Sequence, residues 1–208
     1  MQKPFVSVFL GISLDGCIAG ENGDLSWLAE LAPDSPDATG YTALMAQADT
    51  LLIGRSTYDA VLGFEPWPYA GKRVVVLSHR EFAPRHGEQR REGSVREVLE
   101  ALAGEGCRHV YLDGGAVIRA GLGEGVIDSL ILSVLPVVLG KGVRLFEDGL
   151  PRSDWRLDGT LQLPSCPAAW CSCATWRCRR SNRDCSCRFP ACRRPFDSRK
   201  DCRPRGIA

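Results

Sequence analysis

The sequence predicts a three-layer α/β/α domain with a mixed central sheet, parallel early and antiparallel at its C-terminal end. Two observations carry this. Short apolar runs alternate with amphipathic helical stretches over roughly the first 120 residues, and strand-like segments then follow one another with few helices between them. A third observation limits the domain: the chain changes character near Ser165.

Phe5 to Ile12 is apolar, β-branched and aromatic without polar breaks, as expected of a strand buried on both faces, and Ser13-Leu14-Asp15-Gly16 ends it. Cys17-Ile18-Ala19 is a short apolar patch ahead of the turn-rich Gly20 to Asp24. Trp27, Leu28 and Leu31 begin a helical turn that Pro33 and Pro36 interrupt. Across Thr39 to Asp49, Tyr41, Leu44, Met45 and Ala48 recur at spacings of three and four, giving one apolar helical stripe. Leu51, Leu52 and Ile53 form a run too short for a helix that stops at Gly54. Ser56 or Thr57 can cap the helix that follows through Tyr58, Val61 and Leu62.

After an irregular loop, Gly63 to Gly71, Arg73 to Leu77 reads as another buried strand, ending at Ser78-His79-Arg80. The polar Glu81 to Gly93 reads as a loop. Ser94-Val95-Arg96-Glu97 is a capping box, with Val95, Val98, Leu99 and Leu102 on the buried face of its helix. His109 to Leu112 is a strand that runs into Asp113-Gly114-Gly115, and a helix begins near Ala116. Gly121 to Gly125 follows a helix instead of joining a strand to one, so it reads as a linker and not as a dinucleotide fingerprint. Ile127 to Val134, Val137 to Leu139 and Val143 to Phe146 read as strands separated by Pro136 and by Gly140-Lys141-Gly142. Trp155 to Leu163 alternates apolar and polar residues, as a half-buried antiparallel strand does.

A length of 208 residues suits one domain, or one domain with an appendage. No apolar run reaches membrane-spanning length, and Met1 to Pro4 leads straight into a strand without a signal-peptide layout, so a cytoplasmic protein with no membrane partner is expected. The net charge of +1 hides a split: residues 166–208 hold 11 Lys and Arg against 3 Asp and Glu, while residues 1–165 carry a net −7. Eight of the ten cysteines also lie in the tail. The division is therefore 1–165, a domain, and 166–208, a Cys/Arg-rich tail. The spacings Cys171-x-Cys173 and Cys185-x-Cys187 include no CxxC and the tail has no His, so no metal site is expected. A disulfide framework does not suit a cytoplasmic protein, and the tail's charge lacks the organised aromatics of a nucleic-acid arm. The chain has no HExxH, P-loop or nucleophile-elbow pattern.

Three strand-to-helix junctions share one design. Ile53-Gly54-Arg55-Ser56-Thr57, Leu77-Ser78-His79-Arg80 and Leu112-Asp113-Gly114-Gly115-Ala116 each place small or basic residues at a strand's C-terminal end, where an open parallel sheet binds ligands. Glycine backbone and helix starts suit a pyrophosphate, and Arg55 and Arg80 suit an additional phosphate. Together they point to a phosphorylated dinucleotide.

Ser13-Leu14-Asp15-Gly16-Cys17-Ile18-Ala19, Gly54-Arg55-Ser56-Thr57-Tyr58, Asp113-Gly114-Gly115 and the block from Leu135 to Phe146 occur in an order that resembles the dihydrofolate reductase-like superfamily. The resemblance spans roughly residues 4–165, and the Pro136-to-Phe146 block places it in the branch of the riboflavin-biosynthesis reductase C-terminal domain. It implies the dihydrofolate reductase-like fold and an NADPH-dependent reductase, usually a homodimer, acting on a pterin-like or ribosylaminopyrimidine-like small molecule. By the same resemblance, Arg55, Ser56 and Thr57 beside Gly54 hold cofactor phosphates, and Ser78, His79 and Arg80 flank the adenosine 2′-phosphate. Gly114, Gly115, Ala116 and Val117 lie along the pyrophosphate, Ile18 and Ala19 sit near the nicotinamide, and the loop through Asp24 and Trp27 covers the substrate. A bidentate Arg–phosphate contact of roughly 1.5–3 kcal/mol favours NADPH over NADH by about 10–150-fold.

The proton donor stays open. Asp15 either faces the substrate or caps the turn ahead of Gly16, while Asp34 and Asp37 sit on a proline-broken loop. Cys17 stands where this branch often has Arg, Lys or Tyr. After Ser165 the family continues through a Gly into a final apolar strand, whereas this chain turns to Arg, Cys, Ser and Pro. That switch predicts a frameshifted, disordered tail and an unpaired strand 155–163. Two rival functions follow: an NADPH-binding protein without turnover, and nucleic-acid binding through the basic tail.

Overall fold

The layering follows from residues that alternate along the central strands. In β3 (Thr50–Gly54), Leu51 and Ile53 point to one face and Leu52 to the other. In β4 (Arg73–Leu77), Val74 and Val76 oppose Val75, and in β6 (His109–Asp113), Tyr111 opposes Val110 and Leu112. Each face is therefore apolar and each takes its own pair of helices. The computed structural model of the chain describes residues 3–31, 39–163 and 171–178.

On one face, α4 (Val95–Gly104) and α5 (Gly115–Gly123) bury Val98, Leu99, Leu102, Ile118 and Leu122 against Leu52, Val75, Val110 and Leu112. On the other, α2 (Tyr41–Gln47) and α3 (Arg55–Val61) bury Leu44, Tyr58 and Val61 against Leu51, Ile53, Val74 and Val76. The expected capping box starts α4: Ser94 accepts from Glu97 N–H at 3.2 Å, and Glu97 accepts from Ser94 N–H at 2.8 Å.

With β1 (Phe5–Ser13), β5 (Gln89–Arg91), β7 (Ser129–Leu135), β9 (Trp155–Leu163) and β10 (Cys171–Cys178), these strands form an eight-stranded sheet in the order β5-β4-β3-β6-β1-β7-β10-β9. Every pairing from β5 to β7 is parallel, and β10 is antiparallel to both of its neighbours. The three-layer class and the mixed sheet are as the sequence predicts. A separate ladder joins β2 (Cys17–Ala19) to β8 (Val143–Arg144), and α1 (Ser26–Leu31) lies between α2 and this ladder in sequence.

The main correction concerns the end of the sheet. Trp155 to Leu163 is not unpaired: β10, from within the tail, pairs with it over its length and fills the space beside β7. Trp176 packs against the same core as Leu130, its partner in the ladder, and Thr175 is buried. The segment holds no Pro or Gly and carries Thr and Trp, and backbone ladder bonds ask little more of a strand. The rest of the tail, and the expectation of disorder for it, lies outside the described residues.

Three smaller readings also change. The polar stretch 81–93, read as a loop, contains β5, which pairs with β4. Val137 to Leu139 makes no strand, because the N–H groups of Leu139 and Gly140 go to the Asp15 carboxylate instead of a neighbouring strand. Gly121 and Gly123 belong to α5, where Gly121 lets the helix lie close to Leu112 and Ile127. Among the described residues no helix is long and apolar enough to cross a membrane.

Because β10 separates β7 from β9, truncation after Leu163 leaves both with open edges. The truncated chain is expected to run as aggregates on size exclusion and to lose its cooperative thermal transition, whereas the full chain keeps both.

Candidate active site

Register sets the site. Gly54 pairs with Leu77 and Ile53 with Asp113, so β4, β3 and β6 end within one residue of each other. The three junctions thus share one rim. Gly114 turns there at φ +99°, where a side chain is strained, and an added Cβ would fall on the Thr57 hydroxyl and 3.5 Å from the Gly54 nitrogen. A Cβ on Gly54 would lie 2.9 Å from Val117, and one on Gly115 would lie 2.6 Å from Ile18. Gly54, Thr57, Gly114, Gly115, Val117 and Ile18 are therefore joined by close contacts at one rim, with Gly54 and Val117 buried beneath it.

The second junction joins through Arg55. Its Nη1 donates to the Glu81 carbonyl at 3.3 Å, and its guanidinium lies 5.2 Å from the Phe82 ring centroid. Ser78 is buried and its hydroxyl is committed to its own turn, donating to Arg80 O at 2.7 Å and accepting from Arg80 N–H at 3.1 Å. His79 and Arg80 are exposed beyond it, as are Ser56 and Ala116 on the other two junctions. Ala19 is buried, its carbonyl backed by Gly142. Guanidinium groups, hydroxyls and bare backbone along one rim are the donor set that a phosphorylated dinucleotide needs, so these residues fit such a cofactor.

Beside this surface lies a group that sequence reading passed over. Asp113 accepts from Gly114 N–H at 2.8 Å and from the Tyr69 hydroxyl at 3.1 Å. Burial pushes its carboxyl above the usual carboxylate range, and these two hydrogen bonds only partly oppose that. Tyr41, Tyr69 and Tyr111 surround it; burial and the Asp113 charge push Tyr41 up to about 12 and raise Tyr69 and Tyr111 as well. A carboxyl that resists ionisation among aromatic rings can hold and donate a proton. The available signal was its position, an ionisable residue ending a central parallel strand.

The sequence profile of the RibD C-terminal domain matches residues 4–168. The chain belongs to that family. It is 34% identical over 159 residues to the uncharacterized protein YwjB of Bacillus subtilis, covering 74% of this chain and 90% of that protein. A Shewanella sp. PV-4 protein assigned to riboflavin biosynthesis superposes with a TM-score of 0.76 at 31% identity, covering 85% of this chain and 99% of that one. Dihydrofolate reductase of Enterococcus faecalis, solved with NADP(H), matches at TM-score 0.60 and 18% identity, over 84% of this chain and 96% of that enzyme, and shares the fold.

Three sequence-predicted site residues have other occupations in this family member. The Asp15 carboxylate accepts from the Ser13 hydroxyl at 2.7 Å, from Leu139 N–H at 3.1 Å and from Gly140 N–H at 2.8 Å. The Ser13 hydroxyl first, then these N–H groups, hold it down to about 2, so it stays ionised and is a poor proton donor. It staples the loop after β7 to the turn after β1. Asp24 accepts from both Ser26 N–H and the Ser26 hydroxyl at the start of α1. Trp27 is buried among Leu28, Leu31, Leu135, Val137 and Leu139, and offers no open face for stacking. Asp34 and Asp37 lie outside the described residues. Cys17 is buried on β2.

Asp15→Asn tests the staple. A depressed carboxylate stabilises the fold above its unfolded pKa of about 4 and loses that contribution as pH falls through its folded value. The variant is expected to melt below the parent at pH 7, with the gap closing toward pH 2 in thermal scans.

Proposed function

We propose that the chain is an NADPH-dependent reductase acting on a pterin-like or ribosylaminopyrimidine-like heterocycle. The observation that carries this reading is the contact of the first and third junctions at Gly114, with Arg55 tying in the second and Asp113 at the same rim. Bound there, NADPH supplies a hydride. Arg55, Ser56 and Thr57 hold phosphate, and Gly114, Gly115, Ala116 and Val117 offer backbone to the pyrophosphate. His79 and Arg80 extend the basic rim toward an adenosine phosphate. Ile18, resting against Gly115, and the buried Ala19 form an apolar wall that keeps water from the reacting face.

Asp113 replaces Asp15 as the proton donor in this proposal. Burial raises its carboxyl, the Tyr69 hydroxyl that donates to it fixes its position, and the nearby tyrosines suit a planar heterocycle with polar edges. The rival reading, a binding protein without turnover, rested on an uncertain donor and a missing last strand. The raised carboxyl of Asp113 and the presence of β10 favour the turnover reading over that rival.

Two variants test the reading. Arg55→Ala is expected to raise the Kd for NADPH by about tenfold while leaving NADH nearly unchanged, measured by calorimetry. An unchanged NADPH affinity sinks the cofactor assignment. Asp113→Asn keeps an oxygen acceptor for Tyr69 and is expected to lower kcat by about 10²-fold or more with NADPH binding retained. Full turnover in that variant removes Asp113 from the chemistry.

A further inference from the structure

Arg55 is already engaged by a carboxylate. Its Nε donates to Asp59 Oδ1 at 2.8 Å and to Oδ2 at 2.9 Å, one turn further along α3, while Nη1 donates to the Glu81 carbonyl and the guanidinium lies over Phe82. A guanidinium grips a phosphate through two parallel N–H bonds. The side-on edge uses Nε together with Nη2, and Nε has a single proton, which Asp59 holds. The end-on edge uses Nη1 together with Nη2, and it leaves Asp59 in place within the field of the incoming phosphate. A phosphate therefore meets Asp59 by either route: it displaces the carboxylate or binds next to it.

We propose that Asp59 is a specificity-determining residue, an internal competitor for Arg55 that weakens the chain's preference for a dinucleotide bearing an additional phosphate over one without it. This rests on the assignment of Arg55 to the cofactor's phosphate. The pair is built to exchange. Both side chains are partly exposed, at 34% for Arg55 and 50% for Asp59, and such pairs hold weakly in water. Phe82 and the Glu81 carbonyl keep the guanidinium where it is when the carboxylate leaves, so exchange needs only the Asp59 side chain to swing out. A dianion outcompetes a monoanion, but from a lower baseline than a bare arginine offers. The discrimination expected of this rim is accordingly about tenfold, the low end of the 10–150-fold that an unengaged bidentate arginine gives.

The test is a binding cycle read by calorimetry on the full chain, without turnover. Asp59→Asn is expected to tighten NADPH about fivefold and to change NADH by less than about twofold, with Asp59→Ala behaving in the same way. In an Arg55→Ala background, the Asp59→Asn change is expected to alter NADPH affinity by less than about twofold. An Asp59→Asn variant that leaves NADPH affinity unchanged overturns the proposal. So does one that tightens both dinucleotides alike, or one that keeps its full effect without Arg55. The parent protein separates the two levels: if it binds neither dinucleotide, the cofactor reading fails and this proposal falls with it. If it binds NADPH but the cycle shows no coupling, only the role of Asp59 fails.

Discussion

Two crossover turns touch because one residue between them has no side chain. Gly114, in a left-handed conformation against Thr57 and close to the Gly54 nitrogen, lets the start of α5 meet the start of α3. Strand register brings the ends of β3, β4 and β6 level, but register alone leaves three separate turns. The missing Cβ merges two of them, and the Arg55 bond to Glu81 adds the third. Ile18 then closes on Gly115 from the β2–β8 ladder. Thr57, Gly54, Gly115 and Ile18 are brought together by that close approach.

The same side chain serves opposite ends of the site in opposite ways. Asp15 is surrounded by a hydroxyl and two backbone N–H groups, and these hold its negative charge in place. Asp113 has one N–H and one phenol, and the aromatic packing around it disfavours charge. Environment and not residue type decides which aspartate is a fastener and which can carry a proton. Arg55 follows the same rule, since its partner Asp59 determines how much of its charge a ligand meets.

Much of the layer structure was legible in the sequence because it depends on local periodicity. Leu51-Leu52-Ile53, Val74-Val75-Val76 and Val110-Tyr111-Leu112 state a two-faced sheet outright, and Ser94 with Glu97 states a helix start. That the three junctions share one rim was legible for a related reason, since a Gly or basic residue directly after a strand is a local feature. What stayed hidden depends on distant residues. Asp113 gains its raised carboxyl from burial in the folded domain, which its local sequence does not show, and its partner Tyr69 comes from 44 positions earlier. Asp15 is held as a carboxylate by N–H groups of Leu139 and Gly140, 124 and 125 positions later in the chain. Trp27 was assigned by resemblance to a loop that covers the substrate, yet Leu135 and its neighbours enclose it. β10 was missed because its composition lacks Leu, Val and Met, whereas its place in the sheet depends on main-chain bonding.

The position of β10 also bears on how the sheet can be completed. β9 and β10 are successive antiparallel strands, so the two can pair as a hairpin before β10 docks on β7. Until that hairpin docks, β7 and β10 each carry an unsatisfied backbone row, and in that interval this chain is most open to pairing with another copy of itself.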